Sequence, residues 1–281
     1  MDWAHETLYS DIKIGLKGNL IDKKKTTYQN LKIYDTPRFG KVLFLDNTIQ
    51  TTEMDEFIYH EMLTHPLLIA HPNPKNVLVI GAGDGGVLRE ILKHKINKVT
   101  IVEIDNEVIT LSQKHLPSLS KGAFNSKKVK IVIDDGAKFV EKTSEKFDIV
   151  IIDSPDPIGV ARILFSKKFY TNIFSVLRSN GIMIRQTGST MFQPDEIKEN
   201  YQILKTVFPC VYAQIVAIPT YVGGFFSFLI ASKTKRPQKI SYKEVTKKYN
   251  KLNLETKYYN PDIHFASRKL PNYIKKGLYN E

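Results

Sequence analysis

A chain of 281 residues with 42% hydrophobic content can fill the core of one large domain, or of one domain with a smaller attachment. The single cysteine, Cys210, rules out an internal disulfide, no apolar run nears the ~18 residues of a membrane span, and MDWAHETLYS lacks the features of a secretory leader, so a cytoplasmic protein without membrane contact is expected. The net charge of +12 raises nucleic acid as a partner, but Lys outnumbers Arg 34 to 7 and the basic runs at 23–25, 127–130 and 233–236 are short and scattered, so a lysine-rich solvated surface is expected instead.

In chain order, residues 1–52 alternate polar and apolar in DIKIGLKGNLI, YQNLKIYDT and KVLFLDNTIQ, separated by turns such as TPRFGK, which predicts a small antiparallel β domain. TEMDEFIYHEMLTH predicts an amphipathic helix that Pro66 ends or kinks, opening a second domain over 53–281. From residue 76 strands alternate with helices, the signature of a parallel α/β sheet with crossovers. The predicted strands are 77–80, 99–104, 129–133, 148–152, 181–185, 211–218 and 225–231, with helices after Gly86, Asn106 and Gly136 and around 167–177 and 195–205. The tail from Lys233 is basic and Tyr-rich, with one short helix expected near 242–249.

VLVIGAGDGGVLREIL, residues 77–92, reads as a strand, a glycine turn and a helix start, the form of a nucleotide-binding loop, yet Asp84 stands where a pyrophosphate would meet a like charge. In open parallel sheets the ligand sits outside the carboxyl ends of the strands. Four successive predicted strands end in acids there: Asp84, then Glu103, then Asp134 and Asp135, then Asp153 and Asp156. Each alone reads as a cap or turn residue, but together their repulsion calls for a positive partner, most simply a bound cation. Glu103 lies about twenty residues past the glycine turn, where a carboxylate reaches ribose hydroxyls, and Asp135–Gly136 suits an adenine amino group. An adenosine bearing a cationic sulfonium fits this pattern. Two classes remain: a methyltransferase, whose donor carries a carboxylate that Asp84 opposes, and an enzyme whose donor has lost that carboxylate and ends in an ammonium that Asp84 attracts. At ~4 Å and an effective dielectric near 20 this contact is worth on the order of 4 kcal/mol before desolvation, with opposite sign for the two donors.

The motifs TTYQNLKIYDT, LFLDNTIQTTEMDEFIYHEMLTHPLL, HPNPKNVLVIGAGDGGVLREILKH, VEID, DDGAKFV, DSPDPIG, LFSKKFY, IPTYVGG and YYNPDIHFA run in order along nearly the whole chain. In them the sequence resembles the polyamine aminopropyltransferase (spermidine synthase) family. The resemblance implies a Rossmann-like, class I methyltransferase-like seven-stranded sheet with a small N-terminal antiparallel β domain. It also implies transfer of an aminopropyl group from decarboxylated S-adenosylmethionine to an amine, usually putrescine, with no cofactor besides this co-substrate and no metal. By the same resemblance, Gln29, Gln50, Glu103, Asp135, Gly136 and Val160 hold the adenosine part of the donor, and Asp84 and Asp153 its terminal ammonium. Tyr59, His60, Asp84, Asp153, Asp156, Gln186 and Tyr221 line the amine groove, and Asp153 is the proton acceptor. A lid is expected over 154–163, and the thin core of the β domain suggests a homodimer or homotetramer. Agmatine, cadaverine and spermidine stay open as acceptors, a methyltransferase is the alternative enzyme, and a nucleic-acid module on the same fold comes third.

Four positions depart from the family's pattern: Ala82 replaces the second glycine of the loop, Pro155 a Ser or Thr, Val160 a Pro, and Arg162 an acid. Ala82 is expected to be mild, since its methyl need only clear the adenosine, while Arg162 bears on which amine enters. HEMLTH invites a zinc reading, but His60 and His65 are five apart rather than four, so His60 is read as a pocket wall. Cys210 is read as a small buried hydrophobe, and IPTYVGGFFSF as a hairpin whose Tyr221 covers the site.

Overall fold

In a computed structural model, which describes residues 1–154 and 159–279 without the side chains of 159–161, the chain forms two sheets. The first is antiparallel throughout, with β1 (Asp2–Glu6), β2 (Ile14–Lys25), β3 (Asn30–Thr36), β4 (Gly40–Leu45) and β5 (Thr48–Thr52) in sequential order. KVLFLDNTIQ supplies two of these strands rather than one. Asp46 and Asn47 stand at φ +45 and +61, and these two residue types tolerate the left-handed conformation that a two-residue hairpin requires. DWAHE, which three-segment alternation leaves out, makes β1 and buries Ala4 and Glu6.

The helix α1 spans Glu56–Ala70 and departs from expectation twice. It is buried on nearly every side, not amphipathic, because it lies between the second sheet and a layer of other helices. Pro66 does not end it. The carbonyl of Met62, which a residue with an N–H at position 66 would engage, instead accepts from Gln214 Nε2 at 2.8 Å, so the missing backbone bond is replaced from a neighbouring strand.

The second sheet has the order β11-β12-β10-β9-β6-β7-β8, with β6 (Asn76–Gly81), β7 (Lys98–Glu103), β8 (Val129–Ile133), β9 (Phe147–Asp153), β10 (Leu177–Ser189), β11 (Cys210–Ala217) and β12 (Phe225–Ser232). Only β12 runs antiparallel to its neighbours. Continuous apolar runs such as 77–80 belong to strands covered on both faces: Val77 and Val79 enter one core with α1, while Leu78 and Ile80 enter the other. The crossover helices are α2 (Gly86–Leu92), α3 (Asn106–His115), α4 (Pro117–Ser120), α5 (Gly136–Lys142), α6 (Lys167–Val176) and α7 (Pro194–Lys205). Leu31, Ile33 and Leu43 of the first sheet share a core with Val108, Leu111, Leu116 and Leu119, so α3 and the α4 region complete the interior that the small sheet lacks. Among the described residues no helix is long and apolar enough to cross a membrane.

The tail is more structured than its polarity suggests. It forms α8 (Arg236–Lys239), α9 (Tyr242–Leu252), α10 (Pro261–Ala266) and α11 (Asn272–Tyr279). Glu61 pins it by accepting the backbone N–H groups of Lys257, Tyr258 and Tyr259 at 2.8, 2.9 and 2.8 Å. His264 is fully buried against the Tyr259 hydroxyl and the Arg268 guanidinium, and burial together with that cation pushes it down to about 2, so it is neutral.

Candidate active site

The carboxyl ends of β6, β7 and β9 open into a cavity of about 460 Å³ whose opposite wall comes from the first sheet. The glycine turn that forms its floor is tied to β9. Gly81, at φ +85, packs so closely that a Cβ there would lie 1.9 Å from the Asp153 carbonyl oxygen, which accepts the Ala82 N–H at 3.2 Å. Ala82 itself stands at φ +63. Its departure from glycine therefore acts on the backbone, at a cost of about 1 kcal/mol, and not only through clearance of a ligand.

Asp84 leaves this turn facing inward. Its Oδ1 accepts the Gly86 N–H at 2.9 Å and its Oδ2 faces His60 Nε2 at 3.1 Å. Burial works against the anion, but the His60 charge and hydrogen bond, helped by the Gly86 amide, hold it below the usual carboxylate range. Asp153 behaves in the opposite way. Burial, followed by the like charge of Asp84, pushes it up to about 6, although His60 and the Tyr59 hydroxyl, which donates to Asp153 Oδ1 at 2.5 Å, pull it down. Glu103 is buried and raised to about 7, chiefly by that burial. It does not cap α3: Asp105 does, accepting from the Glu107 N–H at 3.1 Å, while Glu103 Oε1 takes the Asp105 N–H at 3.0 Å.

The rim of acids is thus Asp84, Glu103, Asp135 and Asp153, and part of the positive partner it needs is His60, inside the protein itself. Asp134 drops out, because its side chain is exposed and accepts the Asp135 N–H at 2.7 Å. Asp135 also caps α5, through the Ala137 N–H at 2.8 Å, and Gly136 lies flush on Ile80. Gln29 lines the cavity and donates to Asp105 Oδ2 at 3.1 Å. Gln50 lines it too, and its carbonyl accepts from the Tyr221 hydroxyl, so the hairpin after β11 is fastened across the site to the first sheet. Tyr221 meets Tyr59 edge-on at 5.8 Å. Gln186 is buried with both ends of its amide occupied, donating to the Ser154 carbonyl at 3.0 Å and accepting the Gly188 N–H at 2.8 Å. Asp156, Pro155, the Val160 side chain and residues 155–158 of the expected lid lie outside the described residues. Arg162 is exposed.

The three residues of HEMLTH that suggested zinc point to different places. His60 faces the cavity, Glu61 the tail, and the His65 ring lies between Glu90 Oε2 at 2.8 Å and His94 Nε2 at 2.9 Å. Among the described residues no group of three such side chains is placed to hold a metal ion. Sequence reasoning missed Glu6, Tyr9 and Gln193, which also line the cavity. No local pattern marked them: DWAHE does not alternate polar with apolar residues, and Glu6 turns inward with Ala4 while Trp3 is exposed. It also missed Glu56 and Arg89, which stand behind His60 and face it from α1 and α2.

Residues 56–243 match the spermine/spermidine synthase domain and residues 20–53 the spermidine synthase tetramerisation domain. A polyamine aminopropyltransferase of Clostridium tetani is 43% identical over 280 residues, covering 99% of this chain and 97% of its own. That of Methanocaldococcus jannaschii is 42% identical over 284 residues, covering 98% and 96%. Among solved structures, a spermidine synthase in complex with the transition-state analogue AdoDATO superposes with a TM-score of 0.94 at 37% identity, over 99% of this chain and 95% of the other. The spermidine synthase of Thermotoga maritima gives 0.90 at 37% identity, over 98% and 93%. With the acid-rimmed cavity above its glycine turn and these relatives along its whole length, this chain belongs to the spermine/spermidine synthase family and is a transferase of the polyamine aminopropyltransferase type.

Proposed function

We propose that the protein transfers the aminopropyl group of decarboxylated S-adenosylmethionine to putrescine, giving spermidine and methylthioadenosine. The observation that carries this reading is the pair of inward carboxylates at one end of the cavity, Asp84 and Asp153, close enough that Asp84 raises Asp153, with Glu103 at the neighbouring strand end. Glu103 takes the ribose hydroxyls, Gln29, Gln50, Asp135 and Gly136 the rest of the adenosine, and Asp84 the terminal ammonium. Tyr59, His60, Gln186 and Tyr221 wall the amine groove. Glu6 supplies one more buried carboxylate in the cavity wall, which suits an acceptor with a second ammonium.

In the reaction the amine nitrogen attacks the carbon beside the sulfonium. The C–N bond forms as the C–S bond breaks, and sulfur leaves with the electron pair as a neutral thioether, so the leaving group needs no acid and no metal. The difficulty is the nucleophile. A primary amine with an ordinary pKa near 10.4 is neutral about once in 10³ at pH 7, a deficit of roughly 4 to 5 kcal/mol. Asp153, at about 6 rather than 3.8, narrows the mismatch with the amine by roughly 3 kcal/mol. With Oδ1 taken by Tyr59, its Oδ2 accepts the hydrogen bond from the attacking nitrogen, fixes its direction and stabilises the charge that forms there.

The likeness of residues 20–53 to a tetramerisation domain, and the exposed Trp3, Leu20 and Ile21 of the first sheet, support a homo-oligomer, which sedimentation will show. The buried Cys210 suits a reducing, cytoplasmic setting. The activity is tested by mixing the protein with decarboxylated S-adenosylmethionine and putrescine, agmatine, cadaverine or spermidine, and measuring methylthioadenosine. Release with putrescine foremost supports the proposal. Preference for another amine corrects the acceptor, and S-adenosylhomocysteine formed from intact S-adenosylmethionine overturns the reaction.

A further inference from the structure

His60 is buried with both ring nitrogens against carboxylates, Nδ1 at 2.6 Å from Glu56 Oε2 and Nε2 at 3.1 Å from Asp84 Oδ2. A neutral imidazole carries one N–H and would turn a lone pair toward one of these oxygens, so two short contacts of this kind require the imidazolium unless a carboxyl is protonated. Glu56 is not: Arg89 binds it with both prongs, Nη1 to Oε1 at 2.9 Å and Nη2 to Oε2 at 2.8 Å. Arg89 is fixed in turn by Glu90 Oε1 at 2.6 Å and by the Leu119 carbonyl at 2.6 Å. The ring's place is set by backbone, since a Cβ on Gly86 would lie 2.2 Å from Nδ1. The charged and titratable groups facing His60 are therefore Glu56 and Tyr59 from its own helix, Asp84 from the glycine turn, Arg89 from α2 and Asp153 from the end of β9.

Left with Asp84 alone, the imidazolium would compete with any ligand ammonium for that carboxylate. The geometry shows it drawn the other way, half an ångström nearer to Glu56 than to Asp84. We propose that Glu56, held by Arg89, is a positioning residue for the transfer: it draws the His60 imidazolium toward the interior and leaves Asp84 negative toward the terminal ammonium of the donor. The inference rests on the proposed reading of Asp84. It is consistent with His60 being held charged well above its ordinary range by Asp84 and Glu56 despite its burial.

The test is Glu56→Gln, with donor KM and kcat followed against pH and the His60 ring nitrogens followed by NMR. In the wild type both ring N–H groups are expected at pH 7 to 9, and the only change of donor KM there is the fall as Glu103 ionises through about 7, which the variant shares and which cancels in the ratio of variant to wild type. In Glu56→Gln the imidazolium leans on Asp84, so donor KM rises about tenfold near pH 7 while kcat stays within about threefold. As pH rises through the lowered His60 pKa seen by NMR, the competing charge disappears and KM recovers toward wild type. A merely structural role would lower activity without that recovery. If Glu56→Gln does not fold, Glu56→Asp, which sets the carboxylate back by one methylene, is expected to show the same pattern at smaller amplitude. A wild-type His60 with one N–H at pH 7, or a donor KM unchanged or without recovery at high pH in the folded variant, overturns the inference. Failure of the wild-type protein to release methylthioadenosine overturns the functional reading instead.

Discussion

Replacing Asp153 by Asn should make the protein more stable and less active at once. The folded-state pKa of Asp153 is about 6 against an ordinary 3.8, raised first by burial and then by Asp84. Between these two values the folded protein binds a proton that the unfolded chain does not, so this group favours folding at low pH and loses that contribution as pH rises through 6. Above about pH 7 the ionised side chain destabilises the fold by an interval worth at most roughly 3 kcal/mol. Asn removes that cost but weakens the bond from the Tyr59 hydroxyl, which returns about 1 kcal/mol. The net gain is about 2 kcal/mol, or an increase in Tm of roughly 3 to 6 °C at pH 8 for a chain of this size. Thermal denaturation of both proteins from pH 4 to pH 8.5 measures it, and the gain should disappear toward pH 4, where Asp153 is protonated anyway, leaving the variant less stable by about the 1 kcal/mol of the weakened Tyr59 bond. Turnover of Asp153→Asn should fall by about 10² or more above pH 7, where the wild-type acceptor is charged, and the deficit should shrink toward pH 5 as the wild-type carboxylate protonates. A variant that melts lower than wild type at pH 8, or whose Tm difference ignores pH, refutes the assignment of Asp153 as a buried carboxylate held above its ordinary range.

In wild type kcat should fall about tenfold between pH 7 and pH 5 as Asp153 protonates, a limb that steady-state kinetics will place near 6. Tyr59→Phe removes a hydrogen bond that lowers Asp153, so its limb should move to higher pH, and a limb that moves down or stays contradicts the contact. Glu103→Gln should raise donor KM by about 10² with little change in amine KM, and wild-type donor affinity should weaken as pH drops through 7, the value to which burial raises Glu103. Gly86→Ala drives a methyl into the His60 ring, so a loss of about 1 to 3 kcal/mol in denaturant unfolding is expected, with a displaced His60 signal.

The inner strands of the second sheet were legible because strands covered on both faces read as unbroken apolar runs, and the acids after the parallel strands were legible because the sheet puts its ligand at that end. Asp84, Glu103, Asp135 and Asp153 are brought to one cavity as their positions at strand ends implied. What local pattern did not carry was anything decided by distant partners. Pro66 continues a helix because Gln214, far along the chain, takes the Met62 carbonyl. The polar tail folds because Glu61 collects three of its N–H groups. The helix at 56–70 reads as amphipathic from its charges, but Glu56 and Glu61 are buried with partners that no spacing rule reveals. For the same reason the acids of the rim, read alone, point to a ligand for their positive partner, although His60 already supplies part of it.

Binding of two donors that differ by one carboxylate tests the central claim most directly. With Asp84 aimed at the end of the ligand chain, calorimetry should find decarboxylated S-adenosylmethionine at least about 10²-fold tighter than the intact compound, and Asp84→Asn should collapse that ratio toward one. Equal affinity for the two in the wild-type protein, or tighter binding of the carboxylated donor, would contradict the account.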